Sequence, residues 1–250
     1  MNTPSQADDV RAAAVKRLVS DLEQNFRDAV QRSMRFALDG SVASLAIVDH
    51  YLEQAREETR APILALLAAG AGAYFGELVR RHLGAQWIGD GSDPRHLRLL
   101  LDPEFAYFSP ADLAFAAILG DEPDPDDPRA PAGLPLDTAF HLRSTATPPP
   151  NPRRVEDPAD PPPDPPEADT ASSAANTPAD PALHLDTSDD ASWIAARLGE
   201  LSPVPADQFY SLTTRYETLE LILQLLASRR AQDGYEPYTY TIDDYLHAFS

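Results

Sequence analysis

Proline sets the main boundary in this sequence: 17 of its 25 prolines fall between Asp121 and Asp190. The densest run is Pro161-Pro162-Pro163-Asp164-Pro165-Pro166-Glu167. Proline lacks a backbone N–H, and its ring clashes with a preceding helical turn. Residues 121–190 also carry 16 acidic and 4 basic side chains, a net −12 of the chain's formal −20. Crowded carboxylates repel one another, and so polar a segment cannot bury enough apolar surface to offset the entropy of ordering it. Residues 121–189 are therefore expected to be a long disordered insert, acidic and rich in Pro, Asp and Ala. Within it, Leu134-Pro-Leu136 and Phe140-His-Leu142 are apolar islands. They read either as docking motifs or as a short strand near 136–143 that ends the preceding sheet.

The block separates residues 1–120 from residues 190–250. The first part is long enough for its own core. A unit of about 60 residues buries only about 60% of its unfolded surface, so the second part is marginal alone. Docking on residues 1–120 is therefore favoured over a separate lobe. A long insert does not oppose this, because closure entropy grows only with the logarithm of loop length.

Hydrophobic period predicts the elements. Val15, Leu18, Leu22, Phe26, Val30, Met34 and Ala37 recur every three or four positions across a helix at 8–38, closed by Asp39-Gly40. Ser41 or Ser44 would cap a second helix carrying Leu45, Val48, Leu52 and Ala55. A third spans 61–83, with Pro62 in its first turn and Gly84 as its stop. Gln86–Ile88, Leu97–Leu101 and Phe105–Phe108 read as short strands, and Ser109-Pro110 opens a helix to Leu119. Beyond the insert, Asp190 or Ser192 would cap a short helix. A longer one, from Ala206 or Ser211 to Gln232, stripes Leu212, Tyr216, Leu219, Leu223 and Leu226. Tyr238, Tyr240 and Ile242 alternate as a strand would, before a last turn opened by Asp243 or Asp244. The expected class is α+β, helix-dominated, with a small antiparallel sheet.

Several functions lack their residues. There are no cysteines, which removes disulfides, thiolate nucleophiles and Cys-ligated zinc. A net-acidic chain does not suit phosphate backbones, so no nucleic-acid partner is expected; a basic protein partner fits better. Residues 1–9 lack the basic and apolar regions of a signal peptide, giving a cytoplasmic expectation. One lysine, Lys16, stands against 19 arginines. With abundant Ala and Pro, that bias is associated with GC-rich bacterial genomes.

Gly70-Ala-Gly72-Ala-Tyr-Phe-Gly76 invites a dinucleotide-binding reading, but its spacing is GxGxxxG and no βαβ unit follows. Ala68, Gly72 and Gly76 instead lie four apart on one helix face, where missing side chains would let a second element approach closely. Each Gly costs a helix roughly 1 kcal/mol in propensity. The uncharged run Ala61–Gly76 is 16 residues, short of the roughly 20 needed to span a bilayer, so a buried core helix and no membrane partner are expected.

The pairs His50/Glu53 and Asp244/His247 share helix faces but lack the further carboxylates of a di-iron site. Asp186, Asp189 and Asp190 lack the Gly and terminal Glu of a calcium loop. No cofactor or metal is expected. Glu77, Asp102 and Glu104 are carboxylates that only folding could bring together as an acid–base pair. Tyr235, Tyr238, Tyr240 and Tyr245 read two ways: as amphipathic anchors for a partner, or as a strand over the chain's own core.

The stretch from Gly72 to Trp87 resembles a pattern in uncharacterised bacterial domain families. There a helix of the type GAYxGE…RR.LG precedes a Trp-bearing strand. Ser44–Leu52 is similar to the short helix before it. The resemblance covers about residues 40–120 and implies a local fold, with no activity or catalytic residue to carry over. The sequence therefore leads to a non-catalytic interaction or regulatory protein, adaptor or immunity-like, with an unknown protein partner. The alternative is an enzyme whose carboxylates meet only in three dimensions.

Overall fold

A long helix, α1 (Gln6–Met34), leads into a single 3-10 turn and then α2 (Leu45–Glu53) and α3 (Ala61–Val79). The computed structural model describes residues 6–124, 127–131, 135–143 and 189–248. The expected disordered insert falls mostly on 144–188, outside the described residues, as do Leu134 and Phe249.

α3 passes into one π-helical turn at Arg80–Gly84. A four-stranded antiparallel sheet follows in the order β1 (Ala85–Ile88), β2 (Arg98–Leu101), β3 (Ala106–Phe108) and β4 (His141–Leu142). Trp87 pairs with Leu99, Leu100 with Tyr107, and Ala106 with Leu142. Helix α4 (Pro110–Leu119) lies between β3 and β4 in sequence. The C-terminal segment adds α5 (Asp190–Gly199), the single turn α6 (Ala206–Phe209), α7 (Leu212–Gln232) and α8 (Ile242–Ala248). The chain is helix-dominated with a small antiparallel sheet. The island Phe140-His-Leu142 belongs to that sheet: β4 extends its edge, and Phe140 and Leu142 pack on the core.

α3 is the centre of the packing. From Ala68 to Gly76 every residue is buried. A Cβ added at Gly72 would lie 2.6 Å from the Pro110 carbonyl oxygen and 2.7 Å from Ala111 Cα. Backbone there meets backbone, where no side chain can rotate away. At Gly76 an added Cβ would sit 2.3 Å from the Trp87 ring, and at Gly70 it would sit 2.9 Å from Phe26 Cβ. Ala68, on the same face, is 3% exposed. Bare positions thus let α4, the Trp87 strand and α1 close on one helix.

The C-terminal segment joins this core. Leu212, Tyr216, Leu219 and Leu223 of α7 are buried in one cluster with Leu45, Val48 and Leu52 of α2 and Leu113 of α4. Asp49 of α2 reaches across the chain to cap α7. Its carboxylate accepts from Leu212 N at 2.7 Å and Thr213 N at 3.1 Å.

Local chemistry moves several expected boundaries. α1 stops at Met34, four residues before Leu38, because Arg35 turns left-handed at φ +57 and Arg27 draws in the Leu38 carbonyl at 2.7 Å. Neither Ser41 nor Ser44 caps α2; the Ser44 hydroxyl bonds the buried Tyr74 hydroxyl instead. Asp189, not Asp190 or Ser192, caps α5, and Ser211 caps α7. The expected strand through Tyr238, Tyr240 and Ile242 does not form. Tyr240 N donates to Asp102 O at 2.6 Å. Asp244 then gathers Thr241 N at 2.7 Å and Thr241 Oγ1 at 2.9 Å, which starts α8.

Gly72→Leu forces a side chain into backbone, so we expect a loss of about 3 kcal/mol or more, roughly 10 °C in Tm. A Cβ added at Gly199 would meet nothing within 4 Å, so Gly199→Ala serves as the control, with Tm unchanged or slightly raised. Thermal melts followed by circular dichroism compare the two; equal Tm values would refute close packing at Gly72.

Candidate functional site

Glu77, Asp102 and Glu104 engage different partners. Glu77 accepts from Arg80 Nε at 2.9 Å, Arg81 Nη2 at 3.4 Å and Trp87 Nε1 at 2.8 Å. Burial works against its charge, but the bonds from Arg80 and Trp87 outweigh burial and hold its pKa below the usual value. Asp102 instead takes Gln86 Nε2 at 2.9 Å, and Glu104 faces Arg230 Nη2 at 2.8 Å. Burial raises the Glu104 carboxyl to about 7, overcoming Arg230. Burial also raises Asp49, against the bonds from Thr213 and Leu212. That carboxylate lines a polar hollow of about 520 Å³ with His50, Glu53 and Arg56, yet its oxygens are engaged in capping α7. Asp189 caps α5, and Asp190 is buried against Arg143 and Arg229. Among the described residues, no group of three or more His, Asp or Glu side chains is placed to hold a metal ion.

The tyrosines divide. Tyr240 and Tyr245 are 2% and 1% exposed, so they serve the fold and are closed to a partner. The Tyr245 ring stacks on Phe105 at 4.3 Å. Its hydroxyl lies 2.7 Å from Leu101 O and accepts from Ala106 N at 2.9 Å, satisfying the backbone where β2 turns into β3. Tyr238 is half-buried and donates to Asp244 at 3.1 Å; Tyr235 is half-buried too. Of the two readings, packing on the chain's own core describes Tyr240 and Tyr245, whereas Tyr235 and Tyr238 keep part of their surface exposed.

A different surface has the form of a binding site. α1, the end of α2 and the first half of α3 enclose a groove of about 680 Å³. Phe26, Tyr51 and Leu67 line it, and Gly70 forms its floor where α3 meets Phe26. Phe26 and Tyr51 meet edge to face at 5.8 Å. On its wall, Ile63 and Leu66 are 40% and 68% exposed. Arg32, Glu57 and Glu58 supply the charged lining. Arg60 donates to Glu58 from Nε at 2.8 Å and holds its carboxyl down at about 2. Such a combination, apolar floor and wall with a polar edge, buries an apolar side chain or helix face.

Periodicity alone does not single out Ile63 and Leu66. A signal is nonetheless present: α3 is apolar on every side, and such a helix is either covered all round or leaves apolar surface exposed. The same helix, continued to Gly84, is long and apolar enough to cross a membrane by length and composition, but its most apolar stretch is 67% buried inside this fold.

No family model, curated protein or solved structure matches the chain. The resemblance of residues 40–120 to uncharacterised bacterial domains rests on its motif residues alone.

Tyr245→Phe removes one hydroxyl and leaves the Ala106 N–H and Leu101 carbonyl without it. We expect a loss of about 1–3 kcal/mol. Urea unfolding checks this; an unchanged midpoint would show that the hydroxyl contributes nothing to the turn.

Proposed function

We propose that this chain is a non-catalytic interaction protein that receives an apolar helix face of a protein partner in the groove between α1, α2 and α3. One observation carries the reading: Leu66, a large apolar side chain, is 68% exposed beside an apolar groove. Exposed leucines scattered singly need no explanation, but one joined to Ile63 and a lined groove forms a patch. Helices dock in such grooves through apolar residues spaced three and four apart. A basic partner suits Glu57 and Glu58 at the edge, and an adaptor or immunity-like role in the cytoplasm accords with this. Charge there would guide orientation more than strength.

The enzyme reading keeps one observation in its favour, the Glu104 carboxyl raised to about 7. Perturbed carboxyls do cluster at catalytic sites. Glu104, however, is 3% exposed and does not line the groove.

The test is a comparison of wild type with Leu66→Glu as bait in native lysate. The substituted side chain is on the surface, so circular dichroism should be unchanged. We expect a specific partner on the wild type and at least ten-fold less on the variant, since a charge in an apolar contact costs more than about 1.4 kcal/mol. Equal recovery on both baits, or no specific partner on either, would overturn the proposal.

A further inference from the structure

The groove has a counterpart elsewhere on the same chain. Five of the nine exposed large apolar side chains among the described residues fall on two features. Ile63 and Leu66 stand on the groove wall. Leu201, Val204 and Phe209, exposed at 52%, 43% and 44%, project from the connection between α5 and α7. Pro203 and Pro205 stiffen that connection, with Pro205 at φ −54 and ψ 139, so less freedom is lost when it binds. Phe209 is braced by its neighbours. The Arg215 guanidinium lies 4.8 Å from its ring centroid, and the Tyr210 ring meets it edge to face at 5.0 Å. Aromatic side chains and arginine are the residues enriched at protein interfaces.

Unpaired charges on the two features are opposite in sign. Arg215 is half-buried, its Nε has no hydrogen-bond partner, and no carboxylate pairs with it among the described residues. A guanidinium that has lost water without gaining a partner has most to gain from a carboxylate supplied from outside. Glu57, at the groove edge, is exposed and makes no hydrogen bond or ion pair among the described residues. Arg129 feels its charge but bonds Asp127 instead. Projection and groove also lie side by side: Arg56, next to Glu57, and Tyr210, next to Phe209, line one hollow. Complementary features placed together on one surface suit a two-fold axis, because an isologous interface uses the same patch on both copies.

We propose that the occupant of the groove is a second copy of this chain: Phe209, with Val204 and Leu201, enters the groove of the second copy beside its Leu66, Arg215 pairs with its Glu57, and the contact is returned across a two-fold axis. This rests on the groove reading above and names the partner. Apolar contact supplies the strength, and the Arg215–Glu57 pair fixes the orientation. The formal −20 of the chain opposes association at long range, but residues 121–190 carry −12 of it. At 0.15 M salt, exposed charges further apart than about 8 Å are largely screened.

Sedimentation velocity on the purified full chain, from about 1 to about 100 µM in about 0.15 M salt, reads the association. We expect a monomer–dimer equilibrium in the wild type. Leu66→Glu blocks the groove, and Phe209→Glu removes the anchor and gives Arg215 a carboxylate of its own. Each should weaken the dimer at least ten-fold, with circular dichroism unchanged. Should Phe209→Glu misfold, Val204→Glu replaces it with the same expectation. A wild type that stays monomeric to about 100 µM overturns the second copy as occupant, and the groove itself is then judged by the lysate comparison. A dimer that survives Leu66→Glu overturns it too, because association then lies outside the groove. A dimer lost in Leu66→Glu but intact in Phe209→Glu overturns the assigned segment while keeping the groove as the contact.

Discussion

The contact that the rest of the structure depends on is backbone against backbone, where Gly72 of α3 meets Pro110 and Ala111 at the start of α4. At 2.6 Å from a carbonyl oxygen, an added Cβ has no room. Because α4 lies this close, Leu113, Phe115 and Ile118 can fill the space beside α3, and α7 packs on α4 and α2. Glycine is a poor helix former, so three of them in one helix are tolerable only if packing returns more than propensity loses. Here Gly70, Gly72 and Gly76 each face a different neighbour: α1, α4 and the Trp87 strand.

A second pattern concerns acid groups. Many of the described carboxylates are occupied in holding local structure. Asp49, Asp189 and Asp244 serve helix starts, Asp112 accepts from Asp137 N at 3.0 Å, and Glu77 ties Arg80 to Trp87. These roles use up acceptors that a catalytic site would need free. Glu104 differs, being buried 2.8 Å from Arg230 without an aligned bond.

How far the sequence could be read follows from range. The bounds of α4 were legible: Ser109-Pro110 opens it, with Ser109 as its cap, and it ends at Leu119. All of those signals are local. The stripe Leu212, Tyr216, Leu219, Leu223 and Leu226 was legible for the same reason, and all five are buried. Failures came where a distant partner intervened. Arg27 bonding Leu38 O ended α1 early, and Tyr74 took the Ser44 hydroxyl that would have capped α2. The tyrosines alternate like a strand, yet Asp102 and Asp244 compete for their backbone and a helix begins instead. The groove was hidden because its walls come from three helices, and the all-round apolar character of α3 was the one trace of it in the sequence.

The central claim is that the C-terminal segment and residues 1–143 share one core, with α7 packed on α2 and α4. The direct test places a specific protease site within residues 144–188, cuts the folded chain there, and runs the product on gel filtration without denaturant. A shared core predicts that both pieces elute together at the volume of the uncut chain. Two separate peaks, each folded by circular dichroism, would contradict it.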